Sequence, residues 1–303
     1  ALQNEADDAW IKILSKFEPL LRKKFSRAFL RDQIIQVQKN ISGTSKENIQ
    51  KLYEKLGLKQ DAIRKLRKFS RWYKKAEGIQ ELSVMNQRDS LRSIFKFVNH
   101  KNEFIRIEAQ LAAINFLGFH GLRFLNIISY PLSEWQQLKL LEQLSHQPLQ
   151  GLEGVTKWLQ STNDSVIVFA LKLVRVYRRF DLYDAVTVCL NNPKTEVRKN
   201  AIITLMHIYS EDTTNQLIEH YNQEDKDCRL AILQSLNEIR DPETVPFLIE
   251  QLHDNNNEIK LAAARAIMSA ANGQGINLLN TFAYAQTYPW SDIIRQLKKE
   301  AEA

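Results

Sequence analysis

The sequence predicts an all-α protein, an α-solenoid in which about six helix pairs stack as a right-handed superhelix. Three observations carry that prediction. An apolar pattern returns every 31 residues between about Gln150 and Ala270, at Val166, Val197, Cys228 and Ile259. Four residues beyond these stand Ala170, Ala201, Ile232 and Ala263, and eight beyond stand Val174, Leu205, Leu236 and Ile267. Eleven residues before them stand Val155, Val186, Leu217 and Leu248. Steps of 30 and 31 residues then carry the register back to Gln136 (with Leu125, Leu140 and Leu144) and to Ile105 (with Ile94, Ala109 and Ala113). Finally, nine glycines and seven prolines in 303 residues are too few for the turns of an all-β fold. Two short segments with helical apolar spacing, repeated at this period, are paired helices that bury their faces by stacking.

Taken in order, the chain opens with residues 1–78, a basic helical module outside the register. Trp10, Ile13, Leu14, Phe17, Leu21, Phe25, Ala28 and Phe29 form one apolar stripe over residues 1–40, in one long helix or two abutting ones. Pro19 kinks or divides it, and Lys16, Arg22, Lys23, Lys24, Arg27 and Arg31 occupy the other face. Ile41 to Thr44 reads as a turn, with Thr44 or Ser45 capping a short helix that ends at Gly57. A third helix is expected from Gln60 to Ala76, with Ile63, Leu66, Phe69 and Tyr73 inward and Gly78 ending it.

Residues 79–271 are the repeat array. Its clearest unit runs from Asp241, an N-cap followed by Pro242 at the first helical position, to Ile267. Residues 272–303 close it as a helical cap: Gly273 and Gly275 end a helix, and Pro289 precedes an amphipathic one with Trp290, Ile293, Ile294 and Leu297.

The unit at 241–267, echoed at 181–205 and 212–236, resembles the HEAT repeat in its short bacterial form, related to phycobilisome-lyase-type repeats. The resemblance covers roughly residues 87–271. The basic N-terminal module, with Ala76 to Leu82 and Tyr130 to Trp135, also resembles bacterial proteins that carry HEAT repeats behind an N-terminal membrane anchor. Those proteins are associated with membrane glycosyltransferases of exopolysaccharide synthesis. The resemblance thus implies a scaffold that serves a glycosyltransferase or similar complex.

Charge separates the two ends. Residues 1–78 hold 19 Lys and Arg against 9 Asp and Glu, a balance of +10; the remainder hold 23 against 26, a balance of −3. Arg64, Lys65, Arg67, Lys68, Arg71, Lys74 and Lys75, interleaved with Phe69, Trp72 and Tyr73, are the first candidate site. Cations among aromatics suit phosphates and stacked bases, an anionic membrane surface or an acidic protein partner. The alternative is a solvated face whose aromatics are buried. A slightly acidic array would not continue a nucleic-acid track, so docking to a membrane or a membrane protein is preferred and nucleic acid comes second.

Two further candidates lie in the array. Arg106, Arg198, Arg229 and Lys260 each follow a register point, a ladder that Gln137 and Ile167 interrupt. It either binds an acidic partner or ties neighbouring units together. The segment Val166 to Tyr177 is apolar nearly all round, so Ile167, Val168 and Lys172 either form a partner groove on the concave face or are packed in mid-array.

No phosphate loop, His-Glu-x-x-His, Cys-x-x-Cys or Gly-x-Ser-x-Gly occurs, and the six histidines lack ligand spacing. No catalytic residue, cofactor or metal is therefore expected. A HEAT-like glycosylase acting on alkylated DNA, with Trp135 or Trp158 beside the lesion, is the residual enzyme reading. Cys189 and Cys228 fall at apolar positions and read as buried free thiols, consistent with a reducing compartment or with indifference to redox. No run reaches the ~18 apolar residues of a membrane span. The expected location is therefore cytoplasmic, or the cytoplasmic side of a membrane if an anchor preceded Ala1, which stands where a Met would begin a chain.

Overall fold

The computed structural model describes residues 2–148, 152–281 and 286–302; Gln150, Ala1 and Ala303 lie outside them. Every regular element among the described residues is helical. The chain divides into two compact units, one ending at Gly154 and one starting at Val155.

The first unit contains α1 (Leu2–Arg22), α2 (Lys24–Asn40), α3 (Thr44–Lys55), α4 (Leu58–Lys65), α5 (Trp72–Val84), α6 (Leu91–Ile94), α7 (Glu103–Leu117) and α8 (Glu134–Ser145). A 3-10 stretch, Gly118–Asn126, joins α7 to α8. Leu30, Ile34, Tyr53, Leu56, Leu58 and Met85 form the core of its N-terminal part, with Leu14, Phe17 and Leu21 of α1 half-buried against them. Three expectations fail here. The apolar stripe of residues 1–40 is interrupted, because Phe25 and Phe29 face solvent. Pro19 lies within α1, and the break comes at Lys23. At α3 the N-cap is Gly43, at φ 67°, instead of Thr44 or Ser45.

The expected boundary at residue 78 falls inside α5, which packs on both α4 and α7. Gly78 therefore does not end a helix. A Cβ there would lie 2.8 Å from Leu66 Cδ1 and 2.9 Å from both the Ala62 carbonyl oxygen and Lys65 Cβ. Glycine is what lets α4 and α5 approach so closely.

Two register pairs follow in this unit: α6 with α7, and the 3-10 stretch with α8. The second unit holds four more: α9 (Val155–Leu159) with α10 (Asp164–Val176), α11 (Tyr183–Val188) with α12 (Thr195–His207), α13 (Thr213–Tyr221) with α14 (Lys226–Ile239), and α15 (Val245–Gln251) with α16 (Asn257–Ala270). The second helices stack in sequence, α10 on α12, α12 on α14 and α14 on α16. Every register residue named above is at most 3% exposed. Each buried Val, Leu or Ile contributes about 1.5–3 kcal/mol of transfer free energy, which is why the pattern recurs. Gln136, the polar member, donates at 2.5 Å to Gln110, which donates to the Val98 carbonyl. The array closes with α17 (Gly275–Thr281) and α18 (Trp290–Glu302). Trp290, Ile293, Ile294 and Leu297 are buried as expected, and Arg265 of α16 pairs with Glu300 at 2.7 Å. Gly275 opens α17 instead of ending a helix.

A second periodic column, unread in the sequence, stands three residues before each register point. Asn102, Ser133, Asn163, Asp225 and Asn256 cap the second helices, their side chains accepting backbone N–H bonds. Lys194 holds the same place before α12, in the same extended conformation, without a side-chain cap. Lys194→Asn is accordingly expected to stabilise the second unit by about 1 kcal/mol, read as a higher urea midpoint. An unchanged or lower midpoint would show that the column does not cap.

Candidate functional site

Residues 60–76 do not form one helix. The chain leaves α4 at Lys65, turns through residues 66–71 with backbone bonds from Arg67 to Arg64 and from Ser70 to Arg67, and starts α5 at Trp72. Lys75 fixes the turn by donating to the Lys68 carbonyl at 3.1 Å. The turn reverses the expected aromatic placement. Phe69 is 93% exposed, and Trp72 and Tyr73 are also exposed. Trp72 stacks on Phe104 with centroids 5.1 Å apart, and the Lys68 ammonium lies 5.8 Å from the Phe69 ring centre. Arg71 donates to the Tyr73 hydroxyl at 3.3 Å.

The seven cations of this segment have different roles. Lys65 is internal: its ammonium lies 2.7 Å from the buried Glu81 carboxylate and 2.6 Å from Glu77. Tyr53 also donates to Glu81 at 2.8 Å, and Arg31 stands 3.9 Å away. Burial pushes the Glu81 carboxyl up, against the opposing pull of Lys65, Tyr53 and Arg31, and burial with Glu81's charge likewise pushes the Tyr53 phenol up. Arg64 pairs with Asp61. Arg67, Lys68, Arg71 and Lys74 are exposed around the aromatics, and no acidic residue occurs between Asp61 and Glu77. The surface is thus apolar at its tip and cationic at its base, while Lys65 holds the two helices together beneath it.

The array candidates resolve differently. Ile167 and Val168 are 3% and 2% exposed and Lys172 is half-buried, so the expected groove on α10 is packed interior. Arg106 donates to the His100 carbonyl at 2.8 Å and lies over the Tyr130 ring. Arg198 donates to the carbonyls of Asn192 and Pro193 at 3.0 and 3.3 Å, and pairs with Glu224 and Asp225 at 2.8 Å each. Arg229 donates to the Asn222 carbonyl at 3.1 Å. These three guanidinium groups hold the turn of their own repeat and reach the next one, through Tyr130 for Arg106, Glu224 and Asp225 for Arg198 and Asp254 for Arg229, so the ladder ties neighbouring repeats together. Lys260 lies 6.0 Å from the Trp290 ring centre.

Glu224, Asp225 and Cys228 bring ligand-type atoms within 4.8 Å of one another. The positive charge between the two carboxylates is the Arg198 guanidinium. Burial and the carboxylates push the Cys228 thiol up to about 12, and burial pushes Cys189 up to about 11, so both stay protonated at neutral pH. Trp158 is buried and offers no ring face to a nucleobase; Trp135 is exposed.

No described helix is long and apolar enough to cross a membrane. Residues 152–237 and 214–284 match the family model of HEAT repeats. None of the curated proteins matches the chain. Among solved structures, the chain is similar to an engineered protein at 14% identity and TM-score 0.42, covering 92% of this chain and 86% of that one. It is also similar to the designed armadillo repeat protein YIII(Dq)4CqI, at 14% identity and TM-score 0.37 over 69% and 98%. A third similar structure is the complex of CpcE and CpcF of phycocyanin lyase from Nostoc sp. PCC7120, at 12% identity and TM-score 0.29 over 89% and 94%. The matched residues include the stacked helix pairs α9 to α16.

Proposed function

We propose that the protein is a non-catalytic adaptor that docks by its α4–α5 turn on an anionic membrane surface and holds a protein partner along its HEAT repeats. A membrane glycosyltransferase is the partner to which the resemblance of the N-terminal module points. HEAT-repeat solenoids are typical of protein-interaction scaffolds, which supports the second half of this reading. The observation that carries the first half is Phe69, 93% exposed at a turn flanked by Arg67, Lys68 and Arg71. An exposed phenyl costs hydration free energy that a bilayer interface recovers, and each cation close to anionic lipid adds about 1 kcal/mol. Trp72 is already stacked on Phe104, and Lys68 lies near the Phe69 ring. That arrangement supports insertion between head groups more than stacking on successive bases.

Co-sedimentation tests it, with vesicles of phosphatidylcholine alone and with 30% phosphatidylglycerol added. The protein is expected to bind the anionic vesicles, to release them as salt rises, and to bind about tenfold more weakly as Phe69→Ser. Equal partitioning of the wild type and Phe69→Ser, or binding to single-stranded RNA or DNA in preference to vesicles, would overturn the proposal.

A further inference from the structure

A separate cleft of about 390 Å³ opens where α1 meets α2. Arg22, Lys24, Arg27, Arg31 and Arg64 line it, with Asp61 the one carboxylate among the lining residues. Asp61 accepts from Arg27 Nε at 2.6 Å and also pairs with Arg64, while Arg27 donates through a second nitrogen to the Gly57 carbonyl at 3.0 Å. Two guanidinium groups are thereby held in fixed orientations with further N–H groups to spare. Arg31 pairs with Asp32 at 2.8 Å, Glu77 at 3.4 Å and Glu81 at 3.9 Å, and Arg22 with Glu18 at 2.9 Å. Lys24 has no acidic partner among the described residues.

Five cations border one cleft, and Lys24 and Arg27 sit in the first turn of α2, where the positive end of the helix dipole disfavours them. Carboxylates pair with four of them, Glu18 with Arg22, Asp61 with Arg27 and Arg64, and Asp32, Glu77 and Glu81 with Arg31, which leaves Lys24 as the cation without an acidic partner among the described residues. A compact dianion satisfies the arrangement: planar guanidinium forks match phosphate oxygens, and Lys24 adds a mobile point charge. The volume lies within the roughly 300–1,000 Å³ of small-ligand pockets.

We infer that this cleft is a binding site for a phosphomonoester group. The group is either free in a small molecule or the head group of a lipid. Phe69 takes no part in the cleft, so the inference does not depend on the docking reading.

The test is calorimetric titration of the full chain with glycerol 3-phosphate at constant ionic strength, for the wild type, Phe69→Ser and the double variant Arg22→Gln/Lys24→Gln. Arg22 and Lys24 are exposed, so the double variant is expected to keep the wild-type circular dichroism. Saturable binding by the wild type, unchanged in Phe69→Ser and at least about tenfold weaker in the double variant, supports the site. Vesicles with phosphatidic acid or phosphatidylglycerol at matched surface charge then identify the source. A preference for phosphatidic acid that the double variant loses indicates a lipid head group, whereas equal binding beside an intact response to glycerol 3-phosphate indicates a soluble ligand. No saturable heat from the wild type, or equal affinities for the wild type and the double variant, overturns the inference.

Discussion

Replacing Arg198 by alanine is expected to destabilise the second unit by about 3–5 kcal/mol, the usual range for breaking a buried ion pair from one side. Arg198 occupies the centre of a knot between successive repeats. It pairs with Glu224 and Asp225 at 2.8 Å and closes the α11–α12 turn through the carbonyls of Asn192 and Pro193. The Glu224 side chain is 2% exposed, so deleting the guanidinium leaves a carboxylate with neither water nor counter-charge. Asp225 loses less, because it is more exposed and keeps the Thr195 hydroxyl at 2.6 Å and the Cys228 backbone N–H. Urea unfolding of the single variant, and of Arg198→Ala with Glu224→Gln added, checks this. The second change should recover part of the loss by removing the stranded charge. A loss below about 0.5 kcal/mol, as for an exposed pair, would mean that Arg198 ties nothing.

Glu81→Ala is the second large effect, expected at about 3 kcal/mol in the first unit. The buried carboxylate joins α5 to α4 through Lys65, to α3 through the Tyr53 hydroxyl and to α2 through Arg31. Alanine strands the Tyr53 hydroxyl and leaves Arg31 with Asp32 and Glu77. Lys65 keeps Glu77, which holds the loss to the lower end of the range for buried pairs. Glu81→Gln should cost less than alanine, because an amide oxygen still accepts from Tyr53. Urea midpoints that rank the two variants the other way would contradict this account of the cluster.

The repeat was legible because it is made of apolar residues, whose spacing reports burial directly. Every register residue from Ile94 to Ile267 is buried, and even Gln136, polar at an apolar position, stays in phase by bonding Gln110. The cap column at Asn102, Ser133, Asn163, Asp225 and Asn256 was equally present in the sequence. Polar residues in loops are common enough to hide a period unless the register is laid beside them.

The α4–α5 turn was less legible. Residues 60–76 keep helical apolar spacing, and no glycine or proline marks the break at Leu66. What ends α4 is tertiary: Gly78 draws α5 against Ala62, Lys65 and Leu66, and the chain must reverse between the two helices. Phe69 is carried outward as a consequence. Arg198 and Lys65 look like surface cations in sequence because their partners lie 26 and 16 residues away. The same limit applies to Val168, whose apolar neighbours along α10 could not say which of its faces is covered.

Removal of residues 226–256, one full period, tests the central claim that these units are interchangeable in a stack. Asp225 would then cap α16, and Ile259, Ala263 and Ile267 would take the places of Cys228, Ile232 and Leu236 against α12. Nearest-neighbour packing predicts that the shortened chain unfolds cooperatively in urea, while a half-period deletion of 226–241 does not. Loss of cooperative unfolding in the full-period deletion, or equal behaviour of the two, would contradict it.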